Sequence, residues 1–203
     1  MSTRQDSTVA DVGTSKAAAR IRAAAIEIFA AKGYGATSTR QIAASLDLSP
    51  GAVYPHYKTK ESLLFAVSLE GHNAALVNLR AADEPTSLPT VRLTSAVTAY
   101  VKWHAHHHSQ ARVVQYELRS LSAEHFKTIA IIRRETTKVF TDIIRAGNET
   151  GEFQTIDTDA ASLAITALGV DVSRWFPSST YSDPEVLAER YVELALRMVG
   201  VAP

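Results

Sequence analysis

The sequence predicts an all-α protein of about nine helices, and three observations support this fold class. Apolar residues recur at spacings of three and four along most of the 203-residue chain, and no stretch alternates as a half-buried strand would. Prolines, glycines and capping residues divide this pattern into segments of helical length. Hydrophobic residues make up 46% of the chain, so a packed core is expected.

The first predicted helix follows a polar tail, residues 1–13, which we expect to be mobile. Thr14 or Ser15 can cap this helix, because a hydroxyl oxygen accepts a hydrogen bond from a free amide of the first turn. The helix is expected to end near Lys32, since Gly33 suits the position that follows a helix.

A pair of short helices joined by a tight turn is predicted between residues 37 and 60. The first helix of the pair is expected to begin near Thr39 and to end near Leu46. Asp47 is expected to adopt the left-handed conformation that reverses the chain, which aspartate tolerates better than most residues. A capped pair with a turn of about three residues is the helix-turn-helix pattern of DNA-binding proteins.

The second helix of this pair begins with small residues, so its N-terminus can approach base edges closely. Ser49 can cap this helix, and Pro50 suits its first turn. Pro55 removes an amide donor late in the helix and is expected to tighten or end it.

Charge is distributed in a way that agrees with a DNA-binding N-terminus. Residues 1–60 carry eight lysines and arginines against four acidic residues, a net charge of +4, and the remainder carries −4. A basic first third favours contact with a polyanion. A difference of this size also arises by chance, so it supports the helix-turn-helix prediction without deciding it.

Six more helices are predicted after this pair, and a polar, proline-containing break at 83–87 separates the first of them from the rest. Their expected ranges are 60–81, 89–107, 109–121, 123–148, 159–175 and 183–199.

The N-terminal motifs resemble the DNA-binding domain of TetR-family (TetR/AcrR) repressors over residues 16–65. The resemblance rests on the order Thr37-Ser38-Thr39-x-x-Ile42-Ala43, then Leu48-Ser49-x-Gly51-x-Val53-Tyr54-x-His56-Tyr57, then Lys58-x-Lys60-Glu61-x-Leu63-Leu64. This sequence departs from the family at Asp47, where glycine is usual, and at Pro55, where a bulky or basic residue is frequent.

The resemblance implies that Tyr54 and Lys60 contact phosphates and that Thr39 caps the second helix. It also implies groove-facing positions for Arg40, Pro50, Gly51, Ala52 and His56. For both Tyr54 and Tyr57 the alternative is plain core packing, which we favour for Tyr57. The full set of predicted DNA-binding residues is Thr37, Ser38, Thr39, Arg40, Ser49, Pro50, Gly51, Ala52, Tyr54, His56, Tyr57 and Lys60.

Aromatic and polar residues in the C-terminal helices are candidates for a ligand site, because bodies of this family usually enclose one. Ordinary core packing and exposed salt bridges are the alternatives for these residues. His104 and His108 have a spacing that suits two metal-bound imidazoles, but no carboxylate or thiol follows at a matching spacing, so no metal site is predicted. The predicted ligand-binding residues are Tyr100, Trp103, His104, His107, Tyr116, Glu117, Arg133, Phe140 and Trp175.

The last two helices carry apolar faces and small residues that suit a four-helix interface between two copies of the chain. Burial of both faces within one subunit is the alternative. The predicted dimer-interface residues are Ala161, Ala164, Ile165, Leu168, Val172, Val186, Leu187, Tyr191, Leu194, Ala195 and Met198.

The resemblance implies a homodimeric transcriptional repressor that binds a pseudo-palindromic operator in double-stranded DNA and is released by a small-molecule effector. It implies a DNA-binding domain at 14–62 and a ligand-binding and dimerisation domain at 63–203. The body segment 113–121, with Arg133 and the turn at 147–153, resembles actinobacterial lipid- and steroid-catabolism repressors, several of which respond to acyl-CoA thioesters.

Several classes of protein are disfavoured by what the sequence lacks. There is no glycine-rich phosphate loop, no GxSxG and no HExxH, so no enzyme activity and no cofactor are predicted. No apolar run has the length of a membrane span and no cysteine is present, so a cytoplasmic protein is expected. Two alternatives stay open: a ligand-independent activator or architectural DNA-binding protein, and a helical small-molecule-binding protein that does not bind DNA.

Overall fold

The computed structural model describes residues 15–201, which form eight α-helices and one 3₁₀ turn without a β-strand. The predicted all-α fold is therefore confirmed. The predicted tail at 1–13 and the candidate cap Thr14 lie outside the described residues. In chain order the elements are α1 (Lys16–Lys32), α2 (Thr39–Ser45), α3 (Lys60–Ala82), α4 (Pro89–His106), α5 (His108–Tyr116), the 3₁₀ turn (Leu118–Ser120), α6 (Ala123–Thr150), α7 (Thr158–Trp175) and α8 (Pro184–Met198).

Side-chain caps fix the starts of the N-terminal helices. The Ser15 hydroxyl accepts from the Ala18 amide at the start of α1. Ser38 and Gln41 form a reciprocal capping box at the start of α2, so the cap is Ser38 and Thr39 is the first helical residue. A second capping box begins α3. Each box satisfies two amides that the helix itself leaves unpaired, and this is why these helices start where they do.

The segment that was predicted as the third helix is a run of hydrogen-bonded turns over residues 50–56 rather than a regular helix. Its amides bond three residues back: Tyr54 donates to the Gly51 carbonyl oxygen at 3.2 Å and His56 to the Val53 carbonyl oxygen at 3.0 Å. In an α-helix the residue at 55 would donate to the Gly51 carbonyl oxygen, but Pro55 has no N–H to give. The tightened segment therefore takes the place of the third predicted helix, and this is why residues 15–201 form eight α-helices instead of the nine predicted.

Asp47 adopts the left-handed conformation with φ 57°, as predicted. The reversed chain lets the Leu48 amide donate to the Ala43 carbonyl oxygen at 3.0 Å, which closes the end of α2.

Two apolar clusters organise the molecule. The head, by which we mean α1, α2, residues 46–59 and the first turns of α3, surrounds buried residues such as Ile21, Ile42 and Val53. Val113 and Val114 of α5 belong to the same cluster, so a helix of the C-terminal half packs directly on the head. The second cluster lies in the body, between α4, α6, α7 and α8, and α4 makes its most extensive contacts with α8.

Across residues 15–201, no helix combines the length and apolar character that a membrane span needs.

Candidate functional site

The head presents a continuous exposed surface made by the start of α2 and the turn segment. Among the predicted DNA-binding residues in it, Tyr54 is 50% exposed, and Thr39, Ala52 and His56 are half-buried. The other exposed members are Ser38, Arg40, Ser49, Pro50 and Gly51. This surface offers hydroxyls, a guanidinium, a phenol and an imidazole, which are groups that contact phosphates and base edges.

Tyr57 and Thr37 lie inside the head rather than on this surface, being 5% and 4% exposed. The Tyr57 hydroxyl accepts from Arg22 Nη1 at 2.8 Å and donates to the Ala18 carbonyl oxygen at 3.3 Å. These bonds tie the end of the turn segment to α1. Tyr57 is thus buried in the head, which is the core-packing alternative, and it does not lie on the exposed surface with the other predicted DNA-binding residues.

The Lys60 ammonium is directed inward. It donates to the carbonyl oxygens of Tyr34 and Thr37 at 2.9 and 2.8 Å, and it lies 4.1 Å from the centre of the Tyr34 ring. Lys60 thus joins the first turn of α3 to the loop that enters α2. A phosphate contact would have to share this ammonium with two carbonyl groups.

A cavity of about 1170 Å³ lies in the body between α3, α4, α5, α6 and α7. Its inner wall is largely apolar and buried, as expected for a small-molecule site. Buried wall residues are Ala75, Trp103, Ala111 and Val114, whereas Ala130 is half-buried and Phe126 is exposed.

Four polar side chains from three helices enter this cavity and form what we call the inner polar cluster: His72, Tyr100, His104 and Arg133. Both histidines use Nδ1 for a carbonyl oxygen one turn back, at 2.8 Å in each case. Burial lowers the pKa of His72 and of His104 to about 4, so both imidazoles are neutral near pH 7. Burial likewise raises the pKa of the Tyr100 phenol.

The mouth of the cavity, by which we mean its charged rim on α6 and α7, contains Arg134, Lys138, Asp142, Arg145, Asp171 and Arg174. Asp142 pairs with both Lys138 and Arg145, and Asp171 pairs with Arg174. The rim thus holds four cations and two carboxylates, and its net positive charge favours an anionic ligand group.

The cavity includes five of the nine predicted ligand residues: Tyr100, Trp103, His104, Tyr116 and Arg133. The other four, His107, Glu117, Phe140 and Trp175, do not line it, so we leave them out of the proposed site. Three of them pack against aromatic side chains, and the fourth ends a helix.

Phe140 is fully buried beside Tyr100, with ring centres 5.5 Å apart. His107 stacks on Trp103 at 4.7 Å, and Trp175 packs near Tyr181. Glu117 is the C-cap of α5.

His72, Gln115 and the cationic rim line the cavity but were not among the predicted ligand-binding residues. His72 belongs to α3, which was interpreted only as the connection between head and body. In the sequence, His72 lies four residues after Ser68 and three before Ala75, so the three share one face of a helix. The structure shows that this face is directed inward, because Ser68 and Ala75 are buried.

A polar contact joins the head to the helix that forms one wall of the cavity. Glu61 Oε1, in the first turn of α3, accepts from the Ser122 amide at 2.8 Å and lies 2.7 Å from His125 Nδ1. Phe65 stacks on the His125 ring with centres 3.7 Å apart. Burial alone would raise the pKa of Glu61, but the bonds from Ser122 and His125 outweigh it and lower that pKa.

The residues of the predicted dimer face fall into three sets by burial. Val172, Leu187 and Ala195 lie in the core of the single chain, as do Ala161 and Ile165. Ala164 and Tyr191 are half-buried. The exposed members are Leu168, Val186, Leu194 and Met198, at 39%, 42%, 47% and 37% exposure.

No group of three potential metal-ligating side chains comes together within the described part of the chain.

A helix-turn-helix head on a helical body with a large internal cavity is the architecture of a ligand-binding bacterial regulator, and comparison with known proteins identifies the same class. Residues 21–67 match the family described as bacterial regulatory proteins, tetR family. Residues 86–199 match the tetracyclin repressor-like C-terminal domain. The chain therefore belongs to the TetR family of bacterial regulatory proteins, and the predicted family is confirmed.

Individual relatives agree with this assignment. A bacterial regulatory protein of the tetR family from Rhodococcus RHA1 is 71% identical, with a TM-score of 0.92 over 93% of this chain and 100% of that chain. The transcriptional repressor KstR2 of Mycolicibacterium smegmatis is 25% identical over 174 residues, covering 85% of each chain. AibR, solved with isovaleryl coenzyme A and operator DNA, shares the fold at 19% identity and a TM-score of 0.77, over 86% of this chain and 97% of that chain.

Proposed function

We propose that this protein is a homodimeric transcriptional repressor that binds a pseudo-palindromic operator and is released by an acyl-CoA thioester. The proposal includes a DNA-binding domain at 14–62 and an effector-binding and dimerisation domain at 63–203. The observation that carries it is the cavity of about 1170 Å³, which has an apolar interior and a cationic mouth.

DNA binding is assigned to the exposed surface of α2 and the turn segment. Ser38, Arg40, Ser49 and Tyr54 supply groups for phosphates, and Pro50, Gly51 and Ala52 leave room for a close approach to the groove. In this proposal Tyr57, Thr37 and Lys60 hold the surface in shape instead of contacting DNA.

Dimerisation is assigned to the exposed apolar side chains of α7 and α8. The face is made by the exposed members of the predicted set, Leu168, Val186, Leu194 and Met198. Exposed large apolar side chains on two helices are typical of a subunit interface, because large apolar surfaces are rarely left in water. The buried members of the predicted set pack in the core beneath these two helices and are not assigned to the interface.

The effector assignment follows from the two chemical zones of the cavity. An acyl chain suits the apolar interior, and the phosphates of coenzyme A suit the four cations of the mouth. AibR, which shares this fold, was solved with an acyl-CoA, and KstR2 is a repressor related over most of the chain. The alternative of a ligand-independent regulator would leave a cavity of this size without a use.

DNA binding can be tested by fluorescence anisotropy with DNA from the region flanking the gene. Arg40→Ala removes an exposed cation from the proposed surface and is expected to weaken binding by about tenfold and to flatten its salt dependence. Lys127→Ala removes an exposed cation of α6 that lies outside both sites, and it should leave the affinity unchanged. Equal effects of the two variants would overturn the assignment of the surface.

The effector assignment is tested by titrating octanoyl-CoA into the protein–DNA complex. Release of the DNA is expected, and Arg134→Gln should weaken it, because the variant lowers the charge of the mouth. Failure of octanoyl-CoA and longer acyl-CoAs to bind or to release DNA would overturn the acyl-CoA assignment and leave the DNA-binding proposal standing.

A further inference from the structure

We infer that the inner polar cluster binds a hydroxyl group, so that the effector carries a hydroxyl on the part that enters the cavity. The inference rests on the proposed function and specifies the effector class further: a hydroxylated acyl thioester in place of a plain one. It is based on the hydrogen-bonding groups that His72, Tyr100, His104 and Arg133 leave available.

The two histidines supply acceptors. The Nδ1 of His104 lies 2.8 Å from the Tyr100 carbonyl oxygen, and the Nδ1 of His72 lies 2.8 Å from the Ser68 carbonyl oxygen. Since a carbonyl oxygen only accepts, the proton of each neutral ring is on Nδ1. Each Nε2 is therefore an acceptor that a ligand in the cavity can use, and the His104 side chain is otherwise buried, with 5% exposure.

Arg133 and Tyr100 supply donors. Arg133 Nη1 donates to Gln115 Oε1 at 2.7 Å, and within residues 15–201 no carboxylate lies within ion-pair distance of this guanidinium. Most of its five N–H groups therefore stay available. The Tyr100 side chain is 4% exposed, and its hydroxyl makes no hydrogen bond to the described residues.

A ligand hydroxyl matches this mixture because it donates one hydrogen bond and accepts others. It can donate to an imidazole Nε2 and accept from the guanidinium or the phenol. A methyl end would pair with none of these groups, and a ketone or carboxylate would leave the imidazole acceptors without a donor. Leaving buried polar groups unpaired weakens binding, so the cluster discriminates against a plain alkyl chain.

The test compares octanoyl-CoA with its 3-hydroxy and 8-hydroxy derivatives by isothermal titration calorimetry. At least one hydroxylated ester is expected to bind about tenfold more tightly than octanoyl-CoA, which corresponds to one satisfied buried hydrogen bond. His104→Phe should abolish this preference, so that the hydroxylated ester and octanoyl-CoA bind with about equal affinity.

His106→Phe is the matched control, because His106 lies on the same helix, makes the same Nδ1 bond to a carbonyl oxygen at 2.8 Å and is exposed outside the cavity. It should keep the full preference. His72→Leu gives a second variant in case His104→Phe does not fold, and retention of DNA binding identifies the folded variants.

The outcomes separate this inference from the proposed function. If octanoyl-CoA binds but no hydroxylated ester is preferred, or if folded His104→Phe and His72→Leu both keep the preference, the inference is wrong and the proposed function stands. If no CoA ester binds, 1-octanol and 1-methoxyoctane, which lacks the hydroxyl proton, replace them. A His104-dependent preference for the alcohol then supports the inference against the acyl-CoA assignment, and no such preference overturns both.

Discussion

Removal of the Glu61 carboxylate is expected to destabilise the protein more than removal of an exposed carboxylate. Glu61 accepts from the Ser122 amide at 2.8 Å and lies 2.7 Å from His125 Nδ1, and its side chain is 26% exposed. Hydrogen bonds to charged groups contribute about 1.5–3 kcal/mol each, and partial exposure reduces this value. We expect Glu61→Ala to lower the free energy of unfolding by about 2 kcal/mol, or the melting temperature by about 4–8 °C.

The matched control is Glu135→Ala. Glu135 pairs with Arg80 at 2.7 Å, but the two side chains are 46% and 54% exposed, so the loss is expected to stay below about 1 kcal/mol. Thermal unfolding followed by circular dichroism at one fixed protein concentration measures both variants. Equal shifts for the two would refute the reasoning that the Glu61 contact stabilises the head against α6.

The pH dependence of the Glu61 effect follows from the direction of its pKa shift. The pKa of Glu61 is lowered in the folded protein, so its contribution to stability is fully present above the unfolded value of about 4.3. The contribution is lost as the pH falls through the lowered folded pKa. The difference between wild type and Glu61→Ala should therefore be constant from pH 8 to pH 5 and should shrink below pH 4.

The same variant tests communication between cavity and head, because α6 carries Phe126 and Arg133 of the cavity as well as His125. Glu61→Ala is expected to keep its affinity for octanoyl-CoA but to lose part of the effect of that ligand on DNA affinity. Coupling of this kind is typically about 5–150-fold. Unchanged coupling in the variant would show that another contact transmits the signal.

Three further predictions concern backbone conformation, packing and pH. Asp47→Val should destabilise the head by about 1–2 kcal/mol in urea unfolding, because a β-branched residue is strained at φ 57°. Asp47→Gly should change the free energy of unfolding by less than about 0.5 kcal/mol, because glycine adopts this conformation without strain. Gly169→Ala would place a methyl group 2.5 Å from the Tyr100 ring and should cost about 1–2 kcal/mol in the same assay. Gly71→Ala would place its methyl group 3.1 Å from the Gln110 amide nitrogen, which donates to the Val67 carbonyl oxygen, and should cost less than about 1 kcal/mol, because a glutamine side chain gives way more easily than a buried ring. The pKa of His104 is about 4 in the folded protein and about 6.5 in the unfolded chain, so the unfolded chain binds a proton first as the pH falls. The free energy of unfolding should therefore fall by about 3 kcal/mol between pH 7 and pH 4. His104→Phe should remove this part of the pH dependence.

Features that depend on a few neighbouring residues could be predicted from the sequence. The start of α1 at Ser15 and the left-handed residue at Asp47 follow from local backbone chemistry. The all-α class follows from the spacing of apolar residues. Pro55 was expected to tighten or end its helix, but its effect extends over the whole of residues 50–56, because glycine and two prolines weaken the same short segment.

Features that depend on which side chains meet across helices could not be predicted. The resemblance implied a phosphate contact for Lys60. Its ammonium instead donates hydrogen bonds to two carbonyl oxygens of the loop before α2. Phe140 was expected in the ligand site, yet it is buried against Tyr100 outside the cavity. Each outcome depends on the direction of a side chain relative to a distant element, and helical periodicity leaves that direction open.

By itself the sequence determined the helical class, the bounds of α1 and the reversal at Asp47, because these depend on residues that are close together in the chain. The order of motifs over residues 16–65 also carried the resemblance to the TetR family. Only the tertiary structure decided that His72, Tyr100, His104 and Arg133 share one cavity. These residues come from three helices. Long-range packing sets how those helices cross, and the crossing brings the available donors and acceptors of the four side chains together.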